Sequence, residues 1–156
     1  MQIEVVRSSR RRKTVQARVV SGVLQVRIPA SMSLREEHRW FEEMTSRFER
    51  RARADRIDLE VRAAVLARRH RLPHPTAVRW VDNQHARWGS CSPATGQIRI
   101  SSRLGGFPAW VLDYVIVHEL AHLAEVGHSP AFWELVDRYP RAERARGFRI
   151  AKGGED

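Results

Sequence analysis

Three histidines and a glutamate in the last third of this 156-residue chain have the types and spacing of a metal site: His118, Glu119, His122 and His128. On a helix, residues four apart share a face about 6 Å from each other, so the imidazoles of His118 and His122 can converge on one ion. Glu119 is rotated by about 100° from His118, which suits it to act on a water beside the ion rather than to ligate. Catalytic zinc takes three protein ligands and leaves a fourth position for water, so one more donor is required. His128 lies six residues past His122, and Gly127 before it lets the chain turn back. The neighbours Val115, Ile116, Val117, Leu120, Ala121 and Leu123 are apolar. Leaving two imidazoles and a carboxylate unpartnered there would cost on the order of several kcal/mol, and a metal ion removes that cost. The chemistry expected is hydrolysis: a water acidified by zinc, deprotonated by Glu119, attacks a polarised carbonyl.

These residues need a rigid frame. Residues 110–124 are apolar almost all round and predict a buried helix, opened by Gly106 and by Pro108 near its first position, with Gly127 as the stop. Ser129-Pro130 predicts a further helix, as N-cap and first-turn proline, carrying Phe132, Trp133, Leu135 and Val136. After Pro140 the chain is mostly polar and is expected to fray. Upstream, residues 77–81, 86–91 and 97–101 are strand-like, the last two joined by a turn at 92–96. Near the start, residues 14–20 alternate with Val15, Ala17 and Val19 on one face. Leu24, Val26 and Ile28 repeat the pattern after Ser21-Gly22, a hairpin signal. The basic run Arg10-Arg11-Arg12-Lys13 falls in the preceding turn. Ser33 and Glu36 form a capping box that opens a helix striped with Phe41, Met44 and Phe48. A second helix is expected over 58–70, after a break near 54–56. The organisation expected is a strand-and-helix arm over 1–72 packed on the same core, a catalytic region over 73–140, and a polar tail over 141–156.

Composition narrows the setting. With 42% hydrophobic and 29% charged residues the chain is globular rather than disordered. Residues 1–13 contain no apolar stretch of secretory type, and the apolar run 109–117 is interrupted by Asp113 and too short to span a bilayer. The single cysteine, Cys91, excludes an internal disulfide and suits a reducing compartment. A cytoplasmic protein without membrane attachment is expected. The net charge of +10 is uneven: residues 1–72 carry 18 Lys/Arg against 9 Asp/Glu, and the remainder 10 against 9. Such asymmetry suits non-specific contact with nucleic acid. The plainer explanation is an arginine-rich solvated surface, since 26 of the 28 basic residues are arginine.

The segments Arg87-Trp88-Gly89-Ser90-Cys91-Ser92, Gly96-Gln97-Ile98, residues 113–122, and His128-Ser129 with Phe132-Trp133 together resemble the YgjP-like metal-dependent hydrolases. These are relatives of the SprT-like and WLM zincin peptidases. The resemblance covers about residues 76–140 closely and the N-terminal arm only in general plan. It implies an α+β, zincin-like metallopeptidase fold with an N-terminal β-hairpin and helical arm and a buried HExxH helix. It also implies one zinc ion on His118, His122 and His128, Glu119 as general base, and a peptide or protein substrate. The spacing of the third histidine equals that of metzincins, but their glycine would fall at Glu125, so the chain is not one of them. With the same resemblance, strand 97–101 is expected to rim the cleft and hold an extended peptide by backbone pairing.

Around the site, Tyr114 lies one turn before His118, and His85 and Arg87 are candidates to approach it. Trp88 and Cys91 read as packing residues; a ligating Cys91 would close the coordination sphere and make the metal structural. Two other functions remain open: a metal-dependent endoribonuclease or other non-peptide hydrolase, and a SprT-like protease recruited to nucleic acid through residues 1–72. The oligomeric state is not legible.

Overall fold

Two three-stranded sheets of the same topology organise a mixed α+β chain in the computed structural model, which describes residues 2–84 and 86–153. The chain divides into two compact units, Met1–Glu49 and Arg50–Asp156.

In the first unit, β2 (Gln16–Val20) and β3 (Val23–Pro29) form the expected hairpin. Its turn residues Ser21 and Gly22 have φ of 50° and 79°, the left-handed pair that a two-residue type I′ turn requires. A further strand, β1 (Gln2–Ser8), runs parallel to β3 from the pair Gln2–Val23 to Ser8–Pro29. The sequence did not announce it, because its partner lies some twenty residues away. Leu24, Val26 and Ile28 are buried, with Ile3, Val5, Val15, Ala17, Met32 and Phe48 against them. Val19, expected on the same face as Val15 and Ala17, is 51% exposed. Helix α1 (Leu34–Ala54) opens on the capping box: the Glu36 N–H donates to Ser33 Oγ at 3.3 Å, and the Ser33 N–H donates to Glu36 Oε2 at 3.1 Å.

The second unit begins with the end of α1 and with α2 (Leu59–His70), whose first turn is capped by Asp58 accepting from the Val61 N–H at 3.0 Å. Leu59, Ala63, Leu66 and Ala67 give α2 a buried face, and it packs on β4 (Ala77–Val81) and α3 (Ala109–Ala121). The division between the two compact units falls after Glu49. In the second sheet β6 (Gln97–Ser101) is central, parallel to β4 on one side and antiparallel to β5 (Gly89–Ser92) on the other. A 3-10 turn over Ser102–Gly106 leads into α3. Val111, Leu112, Ile116, Val117 and Leu120 of α3 are at most 1% exposed; burying each such side chain stabilises by about 1.5–3 kcal/mol.

Two expectations at the C-terminal end need correction. The buried helix was expected to reach residue 124 and stop at Gly127, yet α3 ends at Ala121, with His122 as its C-cap. The chain tightens there: the Leu123 N–H donates to Leu120 O and the Ala124 N–H to Ala121 O, the shorter bonds of a 3-10 turn. The stretch after Pro140 is not a frayed tail. Residues Ala142–Ala151 form α5, with Ala142, Ala145 and Arg149 buried and Phe148 edge-on to Phe107 and Trp110. Between them, α4 (Pro130–Val136) starts as expected, Ser129 Oγ accepting from the Phe132 N–H at 3.2 Å. Among the described residues, no helix is long and apolar enough to cross a membrane.

Candidate metal centre

Helix α3, its C-cap and the segment leading into α4 bring three imidazoles together. His118 lies in the last turn of α3 and is buried, His122 is half-buried at the C-cap, and His128 is exposed just before α4. One ring nitrogen from each lies within 4.8 Å of the other two. Nε2 of His118 and Nε2 of His128 are 3.4 Å apart. Two nitrogens each about 2.05 Å from a tetrahedral ion stand about 3.3 Å from each other, so the pair fits a common zinc-sized cation. Nδ1 of His122 is 3.0 Å from Glu125 O. A carbonyl only accepts, so Nδ1 carries the proton there and Nε2 keeps its lone pair, the arrangement that orients a ligating histidine.

Packing holds the rings as much as hydrogen bonding does. Phe132 of α4 is fully buried and touches all three: stacked on His122 at 4.4 Å between ring centroids, and 4.9 Å from both His118 and His128. Trp133 stacks on His128 at 5.5 Å. Burial pushes the His118 imidazole down to about 2, helped by His122 and Arg149, and lowers His122 as well. Desolvation disfavours the charged ring, so these two imidazoles are neutral at pH 7, the form a metal requires.

Glu119 faces another direction, as its one-residue offset demands. It is not part of the three-nitrogen group but lines the same cavity of about 570 Å³, together with His118, His122 and His128. Burial raises its carboxyl to about 8, against the pull of Arg149 and Arg87. The cavity wall opposite α3 comes from Trp88, Gly89, Ser90 and Cys91, the start of β5. A triad of imidazoles grading from buried to exposed, beside a buried carboxyl in an open cavity, can hold a divalent ion and present a water to a base.

Residues 25–147 match the family described as YgjP-like, metallopeptidase domain. The chain belongs to the YgjP-like family. At family level it is therefore a metal-dependent peptidase, and its α+β architecture is of zincin type. Among solved structures it is similar to the metallopeptidase zymogen of Pyrococcus abyssi abylysin, with a TM-score of 0.54 and 22% identity over 61% of this chain and 94% of that one. That likeness bears on the fold. No curated protein matches the chain.

The remaining expectations sort themselves on this YgjP-like frame. Tyr114 is fully buried, accepts from Arg146 Nε at 3.4 Å and does not line the cavity, so it packs beneath His118 rather than facing substrate. Arg87 does reach the cavity and is exposed. His85 lies outside the described residues. Trp88 is a packing anchor, 3% exposed, with the Arg103 guanidinium 3.9 Å above its ring and Phe107 at 4.9 Å. Cys91 lines the cavity but stands outside the three-nitrogen group, and burial, with Glu119 nearby, pushes its thiol up to about 11. A protonated thiol away from the nitrogens does not close the sphere. Strand 97–101 is not the rim: as the central strand it is paired on both sides, so it has no edge to offer a peptide. The edge strand on the cavity is β5. Arg149 was missed altogether. It is 6% exposed and brings a positive charge to the cavity from α5, a position that a polar C-terminal stretch gave no reason to suspect.

Proposed function

We propose that the chain is a zinc peptidase in which His118, His122 and His128 hold one catalytic ion and Glu119 is the general base. The convergence of three ring nitrogens within 4.8 Å on the wall of an open cavity carries this reading. When bound, zinc supplies the Lewis acidity that brings a water toward a pKa near 7 and polarises a carbonyl, and its charge favours the ionised form of a neighbouring carboxyl. Glu119 then accepts the proton of the attacking water at a carboxylate oxygen and delivers it to the leaving amine nitrogen as the C–N bond breaks. Arg149 adds a positive charge to the cavity, the sign that offsets a developing oxyanion. The free edge of β5, whose backbone lines the cavity, is suited to pair with an extended substrate. One unpaired cysteine with a high thiol pKa is in keeping with a cytoplasmic setting.

The test is a digest of unfolded casein and of RNA, each with and without chelator, by the wild type and Glu119→Gln. Peptide cleavage that needs metal and falls by at least about 10³-fold in Glu119→Gln is expected. Cleavage of RNA but not of casein would overturn the peptidase reading in favour of a non-peptide hydrolase.

A further inference from the structure

Where the wall of β5 meets Glu119 of α3, the facing residue, Gly89, has no side chain. A Cβ at position 89 would stand 2.6 Å from Oε1, 2.8 Å from Cγ and 2.9 Å from Cδ of Glu119. Real carbon contacts do not fall below about 3.0 Å, so one of the two must move. Turning the carboxylate about its last bond does not relieve the overlap, because Cγ lies upstream of that bond. Nor has the chain much freedom to swing aside, since Glu119 is 6% exposed on a helix buried nearly throughout.

The glycine is not there for its backbone. Among the described residues the positive-φ glycines are Gly22, Gly96 and Gly153, and Gly89 is not one of them, so an alanine would accept its conformation. What glycine supplies at this site is space, and the space is filled by one particular side chain. Gly96 meets Thr76 and Gly105 meets the backbone of α1; Gly89 alone of these glycines abuts a residue of the candidate catalytic set.

We infer that Gly89 is a positioning residue: the bare edge of β5 sets how far the Glu119 carboxylate reaches into the cavity and thereby its distance from the attacking water. Residue 89 touches neither metal nor substrate side chain in this role; it acts through Glu119. The contact itself is independent of the peptidase reading, whereas its catalytic consequence rests on that reading, and two readouts separate them.

The first readout is thermal stability of the full-length, metal-free protein. Gly89→Ala should lower Tm by roughly 5 °C, and the loss should vanish in a Glu119→Ala background, where the overlapping atoms are gone. An equal loss in both backgrounds would overturn the inference. The second readout is peptide hydrolysis by the zinc-loaded protein. Gly89→Ala should keep stoichiometric zinc and a KM within about twofold while kcat falls about 10²-fold, the cost of displacing a catalytic group by about 1 Å. Glu119→Asp draws the carboxylate back by one methylene, so Gly89→Ala with Glu119→Asp should recover at least about tenfold in kcat over Gly89→Ala. A Gly89→Ala protein with wild-type kcat, or a double variant no better than its parent, would count against the role. If the wild type itself cleaves no peptide, the peptidase reading fails, and the stability comparison still decides the contact.

Discussion

In both sheets the third strand is central, parallel to the first and antiparallel to the second: β3 between β1 and β2, and β6 between β4 and β5. In the first unit, β3 buries Leu24, Val26 and Ile28 over a small apolar cluster, and its edge strand β2 leaves Val19 and Val20 half exposed. In the second, Ile98 and Ile100 of β6 are fully buried, and α3 packs across β6 and β5. The edge strand there is a four-residue Gly-Ser-Cys-Ser segment with small side chains against the cavity. The same strand order thus supports a plain apolar patch in one place and a cavity lined by ionisable side chains in the other. What differs is the helix packed on the second sheet, which buries ionisable groups: burial pushes His118 down to about 2 and Glu119 up to about 8.

The sharpest way to press this contrast is at the ligands. His118→Ala should abolish stoichiometric zinc and lower peptide turnover by at least about 10³-fold, whereas Val26→Ala in the first unit should leave zinc content at one per chain. Elemental analysis of untagged protein beside a peptide assay checks both. A folded Val26→Ala protein that had lost its zinc would break the contrast.

Core truncations come next. Ile28→Ala in β3 and Ile100→Ala in β6 remove comparable buried volume and should each cost about 2–4 kcal/mol in urea unfolding. Ile100→Ala alone should weaken zinc retention well below its unfolding midpoint, because β6 lies against the helix that carries two of the proposed ligands. Equal zinc affinity in the two variants would show that the second sheet is as passive as the first.

The smallest effect is a pH dependence of the metal-free protein. Glu119 is raised from its ordinary 4.5 to about 8 by burial. Its contribution is therefore complete below about 4.5 and is lost as pH rises through about 8. Between pH 7.5 and 8.5 the lowered His118 and His122 are essentially neutral in both the folded chain and the unfolded one, where the imidazole has its ordinary value of 6.5. Stability should accordingly drop by on the order of 0.5–1 kcal/mol over that window. Chemical denaturation at the two pH values should show the fall in wild type and a flat response in Glu119→Gln. Below pH 6.5 the sign reverses for His118, which stays neutral when folded but protonates when unfolded.

Much of the second unit was legible because its signals are local. The His118–His122 spacing, the apolar surroundings of that helix, and the Ser129-Pro130 start of α4 each lie within a few residues, and the hairpin turn at Ser21-Gly22 is equally short-range. The features that escaped depend on distant partners. Strand β1 pairs with a strand twenty residues on. The central place of β6 follows from β4 joining it in parallel, which no periodicity within residues 97–101 reveals. Helix α5 buries two alanines and an arginine, a face with too little hydrophobicity to stand out from a polar tail. Gly89 stands in a short local motif, but the side chain it faces, Glu119, lies thirty residues on in sequence.

Phe132 has a consequence for how an ion would leave. One phenyl ring leans on all three imidazoles, so no ligand can swing away without disturbing the wall shared by the other two. Release of an ion held by these three residues would thereby be tied to the loosening of α4, whose phenyl ring backs every one of the candidate ligands.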